Sequence, residues 1–152
     1  MNLHLSPSLA ISSAFVFLSL CWSMAGATDS PQAGVRTSAQ NYKDMVLATC
    51  VANAYKGDKH AATDAGSSVS ALRDWTEYDL EKAPDEIKRL VDEYLAKDYQ
   101  NPLVEAEIKG VRFELLKCLD LYHSDEFVSQ VERLVIDPMR TYRQDSPSSA
   151  QR

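Results

Sequence analysis

Apolar residues recur at three- and four-residue steps along most of the chain between 38 and 136, the spacing of helices with one buried face. Over Gln40–Lys56 the residues Tyr42, Met45, Val46, Thr49, Cys50 and Asn53 share one face. Thr37 with Gln40, or Ser38 with Asn41, offers oxygens to the first turn. Gly57 stands where a left-handed cap would end the helix. Residues 59–82 read as mostly helical, with Val69, Leu72, Trp75 and Tyr78 as the apolar stripe. Gly66-Ser67-Ser68 interrupts the stripe, which predicts a break there or a flat patch that another backbone approaches, with Asp64 or Ser67 capping the next helix.

Pro84 with Asp85 and Glu86 opens another helix, with Ile87, Leu90, Val91, Tyr94 and Leu95 inward. Tyr99–Gly110 breaks the helical period. Asn101-Pro102 stops the preceding helix, and Glu105 and Glu107 alternate with apolar neighbours as in an extended arm. Connections this long in a small domain are uncommon and often functional. Residues 111–123 return to helix, with Phe113, Leu115 or Leu116, Leu119 and Tyr122 as the expected buried face and Cys118 beside it. Ser124 caps a last helix carrying Val128, Val131, Leu134 and Val135, which Asp137-Pro138 ends. The expected fold is all-α: a compact bundle of about five helices.

The ends read differently. Leu9–Leu20 is apolar over the length of a secretion signal's core, and Ala25-Gly26-Ala27 offers the small residues of a cleavage site, so residues 1–27 are expected to be a signal peptide. The leader lacks Lys and Arg, which is irregular for one. Residues 28–37 are expected to be a flexible lead-in, 38–136 the helical domain and 137–152 a disordered polar tail.

The leader carries no formal charge, so the whole net charge of −6 falls on the remainder. An acidic surface argues against nucleic acid and anionic lipid as partners. Export would place Cys50 and Cys118 where disulfides persist, and pairing them would close a loop across most of the bundle.

Candidate chemistry is sparse. His60 and His123 are isolated, and two distant cysteines make no zinc site by themselves. Cys118 and His123 lie on different faces of a helix, and no Gly-rich phosphate loop is present. The residues by themselves describe a small, exported, helical binding protein without cofactors. A periplasmic chaperone or stress-response binding protein fits that description too.

Three stretches go further: Asn41-Tyr42-Lys43-Asp44-Met45-Val46-Leu47-Ala48-Thr49-Cys50, Asp64-Ala65-Gly66-Ser67-Ser68 and Lys117-Cys118-Leu119-Asp120-Leu121-Tyr122. Together they resemble the immunity proteins of type VI secretion amidase effectors, fourth family, from about residue 38 to about 135. The resemblance implies a non-enzymatic periplasmic protein that binds a cysteine peptidase-like peptidoglycan amidase. It implies a homodimer in a 2:2 complex, with a helix of one subunit and a protruding loop of its mate blocking the amidase groove. The residues matching those roles are the loop Tyr99, Gln100, Asn101, Pro102, Leu103, Val104, Glu105, Glu107, Ile108 and Lys109, and the outward side of a helix with Arg73, Asp74, Glu77 and Tyr78.

Overall fold

A computed structural model describes residues 30–145; residues 1–29, which include the leader, and residues 146–152 lie outside the described residues. The chain divides into two units, Met1–Ser30 and Pro31–Arg152, and the second holds the helical bundle.

Five helices of nine residues or more make the bundle: α1 (Ser38–Ala54), α2 (Lys59–Arg73), α3 (Ala83–Leu95), α5 (Glu114–Tyr122) and α6 (Asp125–Leu134). Two short helices, α4 (Pro102–Glu107) and α7 (Tyr142–Asp145), and a 3-10 turn (Gln32–Val35) complete it. The described residues hold no β-strand, only two isolated bridges, Thr37 with Thr141 and Tyr78 with Val135.

α1 is the shaft on which the other long helices pack. Its start is a reciprocal cap: Gln40 N donates to Thr37 Oγ1 at 3.2 Å, and Thr37 N donates to Gln40 Oε1 at 3.0 Å. Two more first-turn amides, of Ser38 and Ala39, donate to Arg140 O and Pro138 O. The first part of the expected polar tail is therefore tied to the bundle, and it carries the short helix α7. The lead-in is also held. Ala33 is buried, and Asn41 Nδ2 donates both to Ala33 O at 2.8 Å and to Trp75 O at 3.1 Å. Tyr42, Met45, Val46 and Cys50 fill the inner face of α1 as its spacing predicts, whereas Thr49 is half-buried and Asn53 exposed. Gly57 does not adopt a left-handed φ; among the described glycines only Gly110 does.

α2 runs unbroken through Gly66, contrary to the expected break. Asp58, not Asp64 or Ser67, caps it, accepting from His60 N and Ala61 N. No atom lies within 4 Å of where a Cβ on Gly66 would stand, so no neighbouring backbone approaches there. The helix stops at Arg73, earlier than expected. The chain then turns back across the bundle, pairing Asp79 N with Leu134 O at 2.8 Å and Ile136 N with Glu77 O at 3.0 Å.

α5 joins α1 through a disulfide between Cys50 and Cys118, both fully buried, with Cα atoms 5.7 Å apart. Closing a 68-residue loop contributes about 4 kcal/mol in the chain-entropy account. α6 seats Phe127, Gln130, Val131 and Leu134 against α1 and α3. Val128, expected inside, is exposed because Phe127 takes the inward register, its ring 6.4 Å from that of Tyr42.

Candidate partner-binding surface

Residues 96–113, between α3 and α5, stand out because they bury so little. The expected extended arm is a short helix instead. Asn101 Oδ1 accepts from Leu103 N at 3.2 Å and Val104 N at 3.4 Å, and Glu105 Oε1 accepts from Asn101 N at 2.5 Å. The signal was in the sequence: Asn followed by Pro is a cap with a first-turn proline as well as a stop for the helix before it. α4 buries none of its residues. Leu103 is 83% exposed and Ile108 57%. Glu105, Glu107 and Lys109 stand around them, and the charged groups leave α4 an apolar-acidic projection.

The segment is moored to α5 at its ends. Tyr99 Oη donates to Asp120 Oδ2 at 2.6 Å, and that carboxylate pushes the Tyr99 hydroxyl up to about 12, with burial adding to it. Gln100 follows, exposed, with its amide near Asp98. The buried Lys117 reaches from α5 to donate to Leu95 O, a terminal carbonyl of α3, at 3.1 Å. At the far end Arg112 Nε lies 2.7 Å from Glu114 Oε1. Between these moorings Gly110 has φ 75° and Phe113 φ 54°. A left-handed conformation is unusual for a bulky aromatic residue and marks a strained junction.

The junction leads to a surface that periodicity misplaced. Leu115, Leu116 and Leu119, expected in the core, are exposed; Lys117, Cys118 and Leu121 face inward instead. The disulfide fixes which side of α5 meets α1, and Lys117 is admitted to the interior by its bonds to Leu95 O and, at 3.7 Å, Glu114. The exposed leucines, with Tyr55, Val111 and Phe113, line an open groove of about 480 Å³.

The second expected surface does not hold together as a helix face. Arg73 ends α2, Asp74 follows it, and Glu77 lies in the turn back. Tyr78 is buried, its ring 5.4 Å from Tyr42 and edge-on to it, so it lies inward as its place in the apolar stripe predicts and not on the outward side with Arg73, Asp74 and Glu77. Arg73 lines a hollow with Met45, Asn53 and Lys88, while Asp74 and Glu77 line a different one beside Tyr142.

Among the described residues no group of three or more His, Cys, Asp or Glu could hold a metal ion. No described helix is long and apolar enough to cross a membrane.

The family model for the type VI secretion system amidase immunity protein, Tai4, matches residues 40–131. The chain belongs to the Tai4 family. That range runs from the first turn of α1 into α6 and so takes in both cysteines of the disulfide, α4 and the leucine face. Among solved structures, this Tai4-family chain is similar to one described under new type VI-secreted toxins and self-resistance proteins in Serratia marcescens, with 27% identity and TM-score 0.69. The match covers 80% of this chain and 95% of that one. A chain from the effector–immunity system Tae4/Tai4 of Salmonella typhimurium shares the fold at TM-score 0.60 and 22% identity, over 69% of this chain and 96% of that one. No curated protein matches.

Proposed function

We propose that this chain is a periplasmic immunity protein that binds a cognate type VI amidase effector and blocks its active-site groove, with no chemistry of its own. The observation that carries the reading is family membership across most of the helical bundle, residues 40–131. The effector is a cysteine peptidase-like peptidoglycan amidase, and export through residues 1–27 brings the two proteins into one compartment. The immunity protein works as a homodimer holding two effectors.

The blocking element is the projection around α4. Its exposed Leu103 and Ile108 offer apolar anchors, and Glu105 and Glu107 offer carboxylates to a catalytic histidine or a basic groove wall. A groove shaped for a peptide stem bearing carboxylates would accept such a combination. Arg73, Asp74 and Glu77 remain exposed and supply a second, more dispersed contact.

The test replaces residues 103–108 with a short Gly-Ser link and measures amidase affinity and survival of cells carrying the amidase in the periplasm. The expected result is a folded, disulfide-bonded protein that no longer protects. Full protection by the variant would remove the projection from the mechanism. Capture of many unfolded clients, with no stoichiometric amidase complex, would favour a chaperone.

A further inference from the structure

α2 and α3 both rest on α1 but leave a hollow of about 370 Å³ between them. Ala, Gly and Ser make up much of α2, which buries only Leu72, so little of it reaches across to α3. The floor is aliphatic and deep: Met45 and Val91 are 1% exposed, Ile87 is buried, and half-buried Val69 closes one side. The volume falls within the range of small-molecule sites, about 300–1,000 Å³.

The polar groups around the hollow divide into two sets. Thr49 Oγ1 donates to Met45 O and Asn53 Nδ2 donates to Thr49 O, both at 2.8 Å, so each is turned back on its own helix. Lys88 and Asp92 pair with each other. Two groups are left over. Among the described residues, neither the Arg73 guanidinium nor the Tyr78 hydroxyl has a hydrogen-bond or ion-pair partner. Tyr78 is only 7% exposed, and a phenol that deep usually has a partner. Its hydroxyl is not sealed in, since Gln130 Oε1 is the one sealed side-chain atom without a partner among the described residues; it opens on the hollow that Tyr78 lines. Lys88 and Asp92 cancel, so Arg73 leaves the lining with one net positive charge in a chain of −6.

We propose that this hollow binds an aliphatic monocarboxylate, with its chain on the floor and its head group on Arg73 and Tyr78. The guanidinium fork takes both carboxylate oxygens, and the Tyr78 hydroxyl donates a further bond to one of them. The chain displaces water from Met45, Val69, Ile87 and Val91. A sugar would set its hydroxyls against aliphatic walls without partners, and an amine would meet the charge of Arg73. The inference stands apart from the amidase reading, because it uses none of the α4 projection; Arg73, at the mouth of the hollow, is the one residue common to both.

Calorimetric titration of the disulfide-bonded chain with decanoate, kept below its micellar concentration, tests this. Decanol supplies the chain without the charge, and acetate the charge without the chain. One decanoate should bind per protein molecule, acetate should not bind, and decanol should bind wild type and Arg73→Gln alike. Arg73→Gln should bind decanoate about tenfold more weakly and Tyr78→Phe severalfold more weakly. Val69→Phe fills the hollow from its edge and should abolish binding with circular dichroism unchanged. Failure of the wild type to bind decanoate, or wild-type affinity in Val69→Phe, overturns the site. Wild-type affinity in Arg73→Gln or Tyr78→Phe overturns the head-group cradle, and acetate binding as tightly as decanoate overturns the role of the floor. Should Val69→Phe not fold, the wild-type methyl resonances of Ile87 and Val91 decide: resonances that do not move as decanoate binds overturn the site. A wild type that ignores decanoate, with a Val69→Phe variant that loses the amidase, would make the hollow a seat for an amidase side chain, and the proposal falls.

Discussion

Tyr99 shows how much of this surface depends on single polar contacts. Its hydroxyl bond to Asp120 ties the foot of the projection to α5, and nothing buried in α4 substitutes for it. Tyr99→Phe keeps the ring and removes the tie, so amidase affinity should fall severalfold while the melting temperature stays close to wild type; an exposed hydrogen bond contributes about 1 kcal/mol or less. Ionisation supplies a separate check. The folded Tyr99 hydroxyl is raised to about 12 from an ordinary 10. A raised pKa means that the stabilisation is fully present below pH 10 and is lost as pH climbs through 12. Phenolate absorbance of the wild type should thus contain a late-titrating tyrosine that Tyr99→Phe lacks. Loss of a component near pH 10 instead would mean that the tie to Asp120 is absent in solution. Tyr42, buried and also raised to about 12, remains in both proteins and marks the late end of the titration.

Among the elements, those with a full inner stripe were legible in the sequence and those that depend on a neighbour were not. α1, α3 and α6 follow from period, caps and first-turn acids. α5 was turned to the wrong side, because hydrophobicity favoured three leucines and only the bridge to Cys50 sets the register that buries Lys117. α4 was read as extended because six residues are too few to show a helical period. The break expected in α2 fails for another reason. Gly66 weakens the helix without interrupting it, since Asp58 nucleates the start and α2 lies along α1. Gly66 has a helical backbone and open space where a Cβ would go. Gly66→Ala should therefore stabilise the protein by about 1 kcal/mol and raise its melting temperature by a few degrees. A fall in melting temperature on thermal denaturation would show that something packs against Gly66 after all, the flat patch approached by another backbone that Gly66-Ser67-Ser68 suggested in the sequence.

At the scale of the molecule, the disulfide links stability to compartment. The loop it closes runs from the middle of α1 to α5 and contains α2, α3 and the whole projection. Its contribution of about 4 kcal/mol is a large share of the roughly 5–15 kcal/mol that holds a small domain. Cys50→Ser should lower the melting temperature on the order of 15 °C, because a domain of this size shifts by several degrees per kcal/mol. Part of that loss would come from a hydroxyl at a position with no exposure. The reduced wild type separates the two contributions, since it loses the loop closure but keeps the sulfur. Reductant should lower the wild-type melting temperature most of the way to that of Cys50→Ser and leave the variant unmoved. A wild type insensitive to reductant even after unfolding and refolding in its presence would mean that packing alone carries the fold. If the bridge carries it, the α5 register, the leucine face and the moorings at Asp120 and Lys117 all fail together in the reduced chain. The protein would then be fully competent only in an oxidising compartment.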